Sequence, residues 1–243
     1  MQLTESAFAN FFKFYKNTAE QQAGVKELYQ ALTFSNSDLL LDTSNWVQFY
    51  RKPPAGPKQR VSQRQLADIM QVSVGNIPLS LVAELNSALD TFGITVPENI
   101  AYFLGQCGAE SGGLRFPLEI ASGALYEYRS DLGNNRAGDG VLFAGTGYIQ
   151  VTGRYNHQAF SDYLSKIGAG DPNVMLLGKS YTCNRYPWSI SAFWWKSNGM
   201  NEFCRTNPSI NAVGAKVNGM NPPNGAAERL SYSNRAFKIL VDI

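Results

Sequence analysis

The chain is poor in the residues that most enzymatic metal sites need. Its 243 residues include a single histidine, His157, and three cysteines, Cys107, Cys183 and Cys204, which follow no metal-ligand spacing. Zinc amidases and peptidases of the HExxH type need at least two histidine ligands, so metal-assisted hydrolysis is not expected and no cofactor is called for. One nucleophilic arrangement survives this shortage, a Cys107–His157 thiol peptidase. The cysteines are expected as buried free thiols, with a Cys183–Cys204 bridge as the alternative.

Long apolar runs are missing too. No stretch approaches the roughly 18 residues that a membrane-crossing helix requires. The segment Met1-Gln2-Leu3-Thr4-Glu5 has no basic region, and the aromatic stretch after it is broken by Lys13 and Lys16. No signal peptide is expected, and synthesis in a cytoplasm follows as the expectation. Charge of one sign is equally scarce. The formal net charge is +2, with seven Lys/Arg against five Asp/Glu in residues 1–60 and fourteen of each in residues 61–243. So small an excess argues against a nucleic-acid partner and fits a solvated surface.

What is present is apolar and aromatic, 44% and 12% of the chain, enough for a substantial core. The length suits one domain and a small extra module. Apolar residues at helical spacing predict two helices in residues 5–32, where Thr18 and Gln21 resemble a capping box. The run Lys52-Pro53-Pro54-Ala55-Gly56-Pro57-Lys58 predicts a stiff linker over 53–60, separating a helical module (1–52) from a larger domain (61–243). Further helices are predicted at 62–71, 78–92, 97–110, 155–167, 189–198 and 226–241. Phe193, Trp194 and Trp195 fall in one of them as expected core. Residues 111–149 are rich in Gly, Asp and Asn, with β-prone pieces at Val141-Leu142-Phe143 and Tyr148-Ile149-Gln150-Val151. They predict a long irregular loop with a small hairpin, and such loops inside compact domains are usually functional. The fold class is therefore mainly α.

Two carboxylates in this region attract attention. Glu110 ends an apolar helix before Ser111-Gly112-Gly113, where the negative end of the helix dipole and apolar neighbours favour a protonated acid. Glu119 follows nine residues later in Phe116-Pro117-Leu118-Glu119-Ile120. Two carboxylates across a turn can face one another over a cleft, as glycoside hydrolysis requires. Spacing alone leaves ordinary surface glutamates as the commoner case.

The surrounding blocks carry more weight. Ala109-Glu110-Ser111-Gly112-Gly113, Leu118-Glu119-Ile120-Ala121-Ser122-Gly123, Tyr126 to Arg129, Asp131-Leu132-Gly133-Asn134, Gly138-Asp139-Gly140 and Gly145-Thr146-Gly147-Tyr148-Ile149-Gln150-Val151-Thr152-Gly153-Arg154-Tyr155-Asn156 together resemble glycoside hydrolase family 19, the chitinases and related phage endolysins. Val217-Asn218-Gly219 and Glu228-Arg229 echo it again. The resemblance spans about residues 61–240 and implies a lysozyme-like helical fold with an inverting mechanism. It implies Glu110 as general acid, Glu119 as general base, and Gln150, Thr152, Asn156 and Asn218 as groups that bind sugar or hold the water. Tyr148 is expected either to stack on a sugar or to pack in the core. Three departures stand out. Ala109 replaces a usual histidine, Thr146 a usual arginine, and Leu118 the first of two adjacent glutamates.

Other polar residues receive ordinary expectations. Glu127 should pair with an arginine such as Arg129, Asp131 and Asp139 should organise loops, and His157 should lie at a polar rim. The resemblance implies hydrolysis of β-1,4 bonds in N-acetylated sugar polymers. The expected substrate is the glycan strand of peptidoglycan, cut by a phage endolysin or a virion-borne lysozyme. Residues 1–52 would then bind the wall or dock to tail or baseplate proteins. A chitinase, the Cys107–His157 peptidase and a weakly active glycan-binding virion component stay open as alternatives.

Overall fold

The computed structural model describes residues 59–242. They belong to a unit of the chain that begins at Pro57. The helical module expected over 1–52, and the proline-rich run up to Lys58, lie outside the described residues. Arg60, assigned to the linker by composition, is bound into the domain. Its backbone N–H donates to Asn86 Oδ1 and its guanidinium pairs with Asp90 at 2.5 Å.

Eleven α-helices build the described residues: α1 (Gln63–Met70), α2 (Leu79–Thr91), α3 (Pro97–Glu110), α4 (Asp139–Leu142), α5 (Arg154–Lys166), α6 (Asn173–Leu176), α7 (Gly178–Arg185), α8 (Pro187–Ser197), α9 (Met200–Cys204), α10 (Ile210–Asn218) and α11 (Ala226–Leu240). Local chemistry explains several starts. Ser62 and Gln65 form a capping box at α1. Pro97 and Pro187 occupy the first turns of α3 and α8, where a missing N–H costs nothing. Glu84, reaching across from α2, accepts hydrogen bonds from the backbone N–H groups of Trp188 and Ser189 and so caps α8. Burial raises the Glu84 carboxyl above its ordinary range, and those hydrogen bonds pull against the shift.

The architecture is mainly α, as the patterning predicts, and only isolated bridges stand where a hairpin was expected. Leu118 pairs with Thr146, and Thr146 with Val151. Val141-Leu142-Phe143, β-prone by composition, instead begins within α4, which Gly138 starts from a φ of +88°. Besides α4, four helices (α6, α7, α9 and α10) carry too little pattern to be read from sequence. The α7 segment, Gly-Lys-Ser-Tyr-Thr-Cys-Asn-Arg, has no apolar stripe. Ile210–Asn218 mixes glycine with β-branched residues, although its capping Ser209, which accepts from the Ala212 N–H, was a legible signal.

At the centre lies α3, every residue of which from Asn99 to Gly108 is buried. α11 runs along it, and α1, α9 and α10 also pack on it. Two glycines permit this approach. A Cβ on Gly105 would stand 2.7 Å from Ser233 Cα, and one on Gly108 would stand 2.7 Å from the Tyr232 ring. On another side Phe103 meets Trp188 and Trp195, with ring centroids 6.0 and 5.3 Å away. Trp195 is fully buried, while Phe193 and Trp194 are partly buried against the same core. Cys107, Cys183 and Cys204 are buried free thiols, so the Cys183–Cys204 bridge is not made. Among the described residues no helix is long and apolar enough to cross a membrane.

Phe103 is the ring that joins the α3 and α8 sides of the core. Phe103→Ala is expected to cost about 3–5 kcal/mol and to lower Tm by roughly 10 °C. A thermal melt followed by circular dichroism measures it, and an unchanged Tm contradicts this packing.

Candidate active site

The acid side is built by the end of α3. Ser111 Oγ donates to the Cys107 carbonyl at 2.6 Å and accepts from the Leu114 N–H at 2.9 Å. Gly112, Gly113 and Leu114 all have positive φ, which turns the chain out of the helix. Glu110 is thereby left at the rim of the core with its side chain 18% exposed. Its setting is not the purely apolar one that the sequence suggested. Arg229 of α11, 3% exposed, donates through Nη2 to Glu110 Oε1 at 2.5 Å. The same guanidinium donates through Nη1 to Gln106 Oε1 at 2.7 Å and through Nε to the Asn224 carbonyl at 2.8 Å. Asn224 in turn gives its N–H to Asn218 Oδ1 at 3.0 Å. Asn218 is thus tied to Glu110 by a short chain of polar contacts.

The base side is built by loops. The Glu119 N–H donates to the Gly145 carbonyl at 2.8 Å. Its carboxylate Oε2 accepts from the Tyr126 hydroxyl at 3.3 Å. Burial, and then the Glu119 charge, raise the Tyr126 phenol above its ordinary value. Gly145 separates two site residues, because a Cβ there would lie 3.0 Å from Glu119 Oε2 and would collide with Gln150 Oε1. Gln150 holds a φ of +56°, uncommon for a residue with a side chain. Its Nε2 donates to the carbonyls of Phe116 and Gly147. Thr152 Oγ1 donates to the Gln150 carbonyl, and Asn156 Nδ2 to the Thr152 carbonyl. Glu119, Gln150, Thr152 and Asn156 therefore form one continuous wall. Phe116 joins that wall to the acid side, since its N–H donates to the Ser111 carbonyl at 2.9 Å.

Several expectations need correction. Tyr148 is 4% exposed and packs on Trp188 with centroids 4.1 Å apart, so its ring faces the core and no sugar can stack on it. His157 is not at a rim. It is fully buried against Phe143, with Nδ1 2.9 Å from the Gly153 carbonyl, and burial pushes its pKa down to about 4. Burial, and then the Glu110 charge, drive the fully buried Cys107 thiol well above its ordinary value. A thiolate and an accessible imidazole base are both missing, which removes the physical basis of the Cys107–His157 peptidase. Arg129 pairs with Asp131, and Glu127 accepts from the Gly138 N–H instead. Thr146 is buried with its hydroxyl donating to the Lys179 carbonyl, so it offers the site no charge. Among the described residues no cluster of His, Cys, Asp or Glu is placed to hold a metal ion.

Asp139 anchors the loops behind this wall. Both of its carboxylate oxygens accept from Arg154, at 2.6 and 2.9 Å, and Oδ2 also accepts from the N–H groups of Asn135 and Arg136. Buried Asn134 adds a second tie, accepting from the Arg154 N–H and donating to the Tyr126 carbonyl. Chiefly because of the Arg154 hydrogen bonds, the Asp139 carboxyl is held below its ordinary value. A depressed folded-state pKa adds stability above the unfolded value, about 3.9, and loses it as pH falls through the folded value. Asp139→Asn is expected to cost about 3–5 kcal/mol at neutral pH and to flatten the decline in Tm below about pH 4. Melts from pH 7 to 3 measure both effects.

No family model matches the chain. A glycosyl hydrolase family 19 domain-containing protein of Haemophilus influenzae is 32% identical over 97 residues, covering 27% of this chain and 48% of that protein. The chain thus spans about half the length of this curated relative. Among solved structures, a mutant of chitinase C matches with a TM-score of 0.55 at 16% identity, over 77% of this chain and 95% of that one. Chitinase C from Streptomyces griseus HUT6037 matches with a TM-score of 0.53 at 17% identity, over 75% of this chain and 77% of that one. The chain is therefore similar in sequence to part of a glycosyl hydrolase family 19 domain-containing protein and shares the helical fold of chitinase C.

Proposed function

We propose that this domain is a glycoside hydrolase that cleaves β-1,4 bonds in the glycan strands of peptidoglycan, with Glu110 as acid and Glu119 as base. The observation that carries the reading is the way the two carboxylates are held. Glu110 is pinned by a buried guanidinium at the end of a rigid helix, and Glu119 sits in a polar wall joined to that helix end through Phe116. Among the described residues Glu110 Oε1 has Arg229 as its partner, which leaves Oε2 as the oxygen to carry the transferable proton.

In this reading Glu110 gives its proton to the glycosidic oxygen as the bond to the anomeric carbon breaks. A water on the opposite face of the sugar attacks that carbon and loses its proton to Glu119. An inverting reaction places the two carboxyl groups about 6.5–9.5 Å apart, with room for that water between them. The amides of Gln150, Asn156 and Asn218 and the hydroxyl of Thr152 suit sugar hydroxyl and N-acetyl partners. The three free thiols fit a chain that folds in a reducing compartment. A phage endolysin or virion-borne lysozyme, with residues 1–52 binding the wall or docking to a tail, combines these features. A chitinase is the second reading, favoured by the names of the solved structures that share the fold.

Purified peptidoglycan and chitin oligomers should be assayed side by side, with released reducing ends and free amines counted and the anomer of the first product read by NMR. Reducing ends of α configuration from peptidoglycan are expected. Glu110→Gln should lower kcat by about 10²–10⁴-fold, and Cys107→Ser should stay active. Full activity of Glu110→Gln, or release of amines in place of reducing ends, overturns the reading. Turnover of chitin alone moves it to the chitinase.

A further inference from the structure

We propose that Gln106 is a positioning residue for Glu110, holding Arg229 so that it pins one carboxylate oxygen and leaves the other to the cleft. The inference rests on the proposed role of Glu110 as the acid. Gln106 and Glu110 are four residues apart on α3 and so share one face of the helix. One guanidinium bridges them, Nη1 to Gln106 Oε1 and Nη2 to Glu110 Oε1. A planar guanidinium held at two points, with Nε fixed on the Asn224 carbonyl, has no freedom to rotate away from the acid.

The polarity of residue 106 is otherwise unexplained. Gln106 is fully buried, and its Nε2 has no hydrogen-bond partner among the described residues. An orphan buried donor is costly, and a leucine of similar volume would avoid that cost. The position keeps an amide because its other atom, Oε1, satisfies Arg229. Being uncharged, the amide also adds no further charge beside the Arg229–Glu110 contact. Arg229 of α11 pairs with Glu110, Cys107 of α3 itself feels its charge, and Glu119 is the carboxylate proposed to oppose it across the cleft. From α1, α9 and α10, which also pack on α3, no Lys, Arg or His nitrogen comes within 4.0 Å of the Glu110 carboxylate among the described residues.

Two substitutions in the full chain separate positioning from folding. Gln106→Leu removes the acceptor, whereas Gln106→Glu keeps the acceptor, deletes the orphan donor and adds one negative charge. Gln106→Leu is expected to lower kcat about 10–100-fold with KM little changed. Gln106→Glu should recover most of that loss at a more alkaline optimum, because a second carboxylate on Arg229 makes Glu110 harder to ionise. Wild-type kcat in the Leu variant overturns the proposal, and so does a Glu variant as poor as Leu at every pH. Carbon NMR titration of the Glu110 carboxyl gives a readout independent of turnover, and its midpoint should rise in both variants. If the wild type hydrolyses neither glycan, the functional reading fails while this titration still decides the role of Gln106. Should Gln106→Leu fail to fold, an unmoved Glu110 midpoint in Gln106→Glu overturns the proposal.

Discussion

The close approach of α3 and α11 is the constraint on which the rest depends. Gly105 and Gly108 remove the side chains that would hold the two helices apart. Only at that distance can Arg229 sit buried and still reach Gln106 and Glu110, which lie more than a hundred residues away in the chain. A guanidinium taken out of water is expensive unless its donors are met. Here the partners are a carboxylate, an amide oxygen and a loop carbonyl. The helix pair that builds the core therefore also sets the acid, and packing and chemistry cannot be altered separately at this point.

The other half of the site is made by different means. Glu119, Gln150 and Thr152 are held by hydrogen bonds between loop residues and Asn156 is tied to them from the first turn of α5, with Gly145 leaving the space between Glu119 and Gln150. Behind them the Asp139–Arg154 pair and buried Asn134 fasten the loops to α5. Gln150 keeps a left-handed backbone conformation, a departure tolerated where surrounding contacts over-determine the geometry.

Much of the fold was legible because its main helices carry strong signals. Pro97, the apolar run after it and the Ser111-Gly112-Gly113 exit mark α3 and place Glu110 at its end. Helices such as α7 have no stripe to read, and α4 forms where local composition favours a strand. What could not be read from sequence depended on tertiary contact. Arg229 was visible as a motif residue, but its grip on Glu110 and Gln106 arises only when α11 lies on α3. His157 and Tyr148 look like site residues by type and neighbourhood, yet the faces on which they stand turn towards Phe143 and Trp188. Periodicity reports that a helix has an inside, and it does not report which polar residue the inside will take.

The unequal anchoring of the two carboxylates bears on how activity is lost. The acid stands on the most deeply buried helix of the domain, while the base stands on short turns and isolated bridges with exposed neighbours such as Phe116 and Ile120. Segments of the second kind open locally at a fraction of the cost of global unfolding. Warming would then silence the domain while its helices are still intact. Amide exchange would be fast along the exposed stretch 115–131 and slow along α3, and the working life of the protein would be set by its loops.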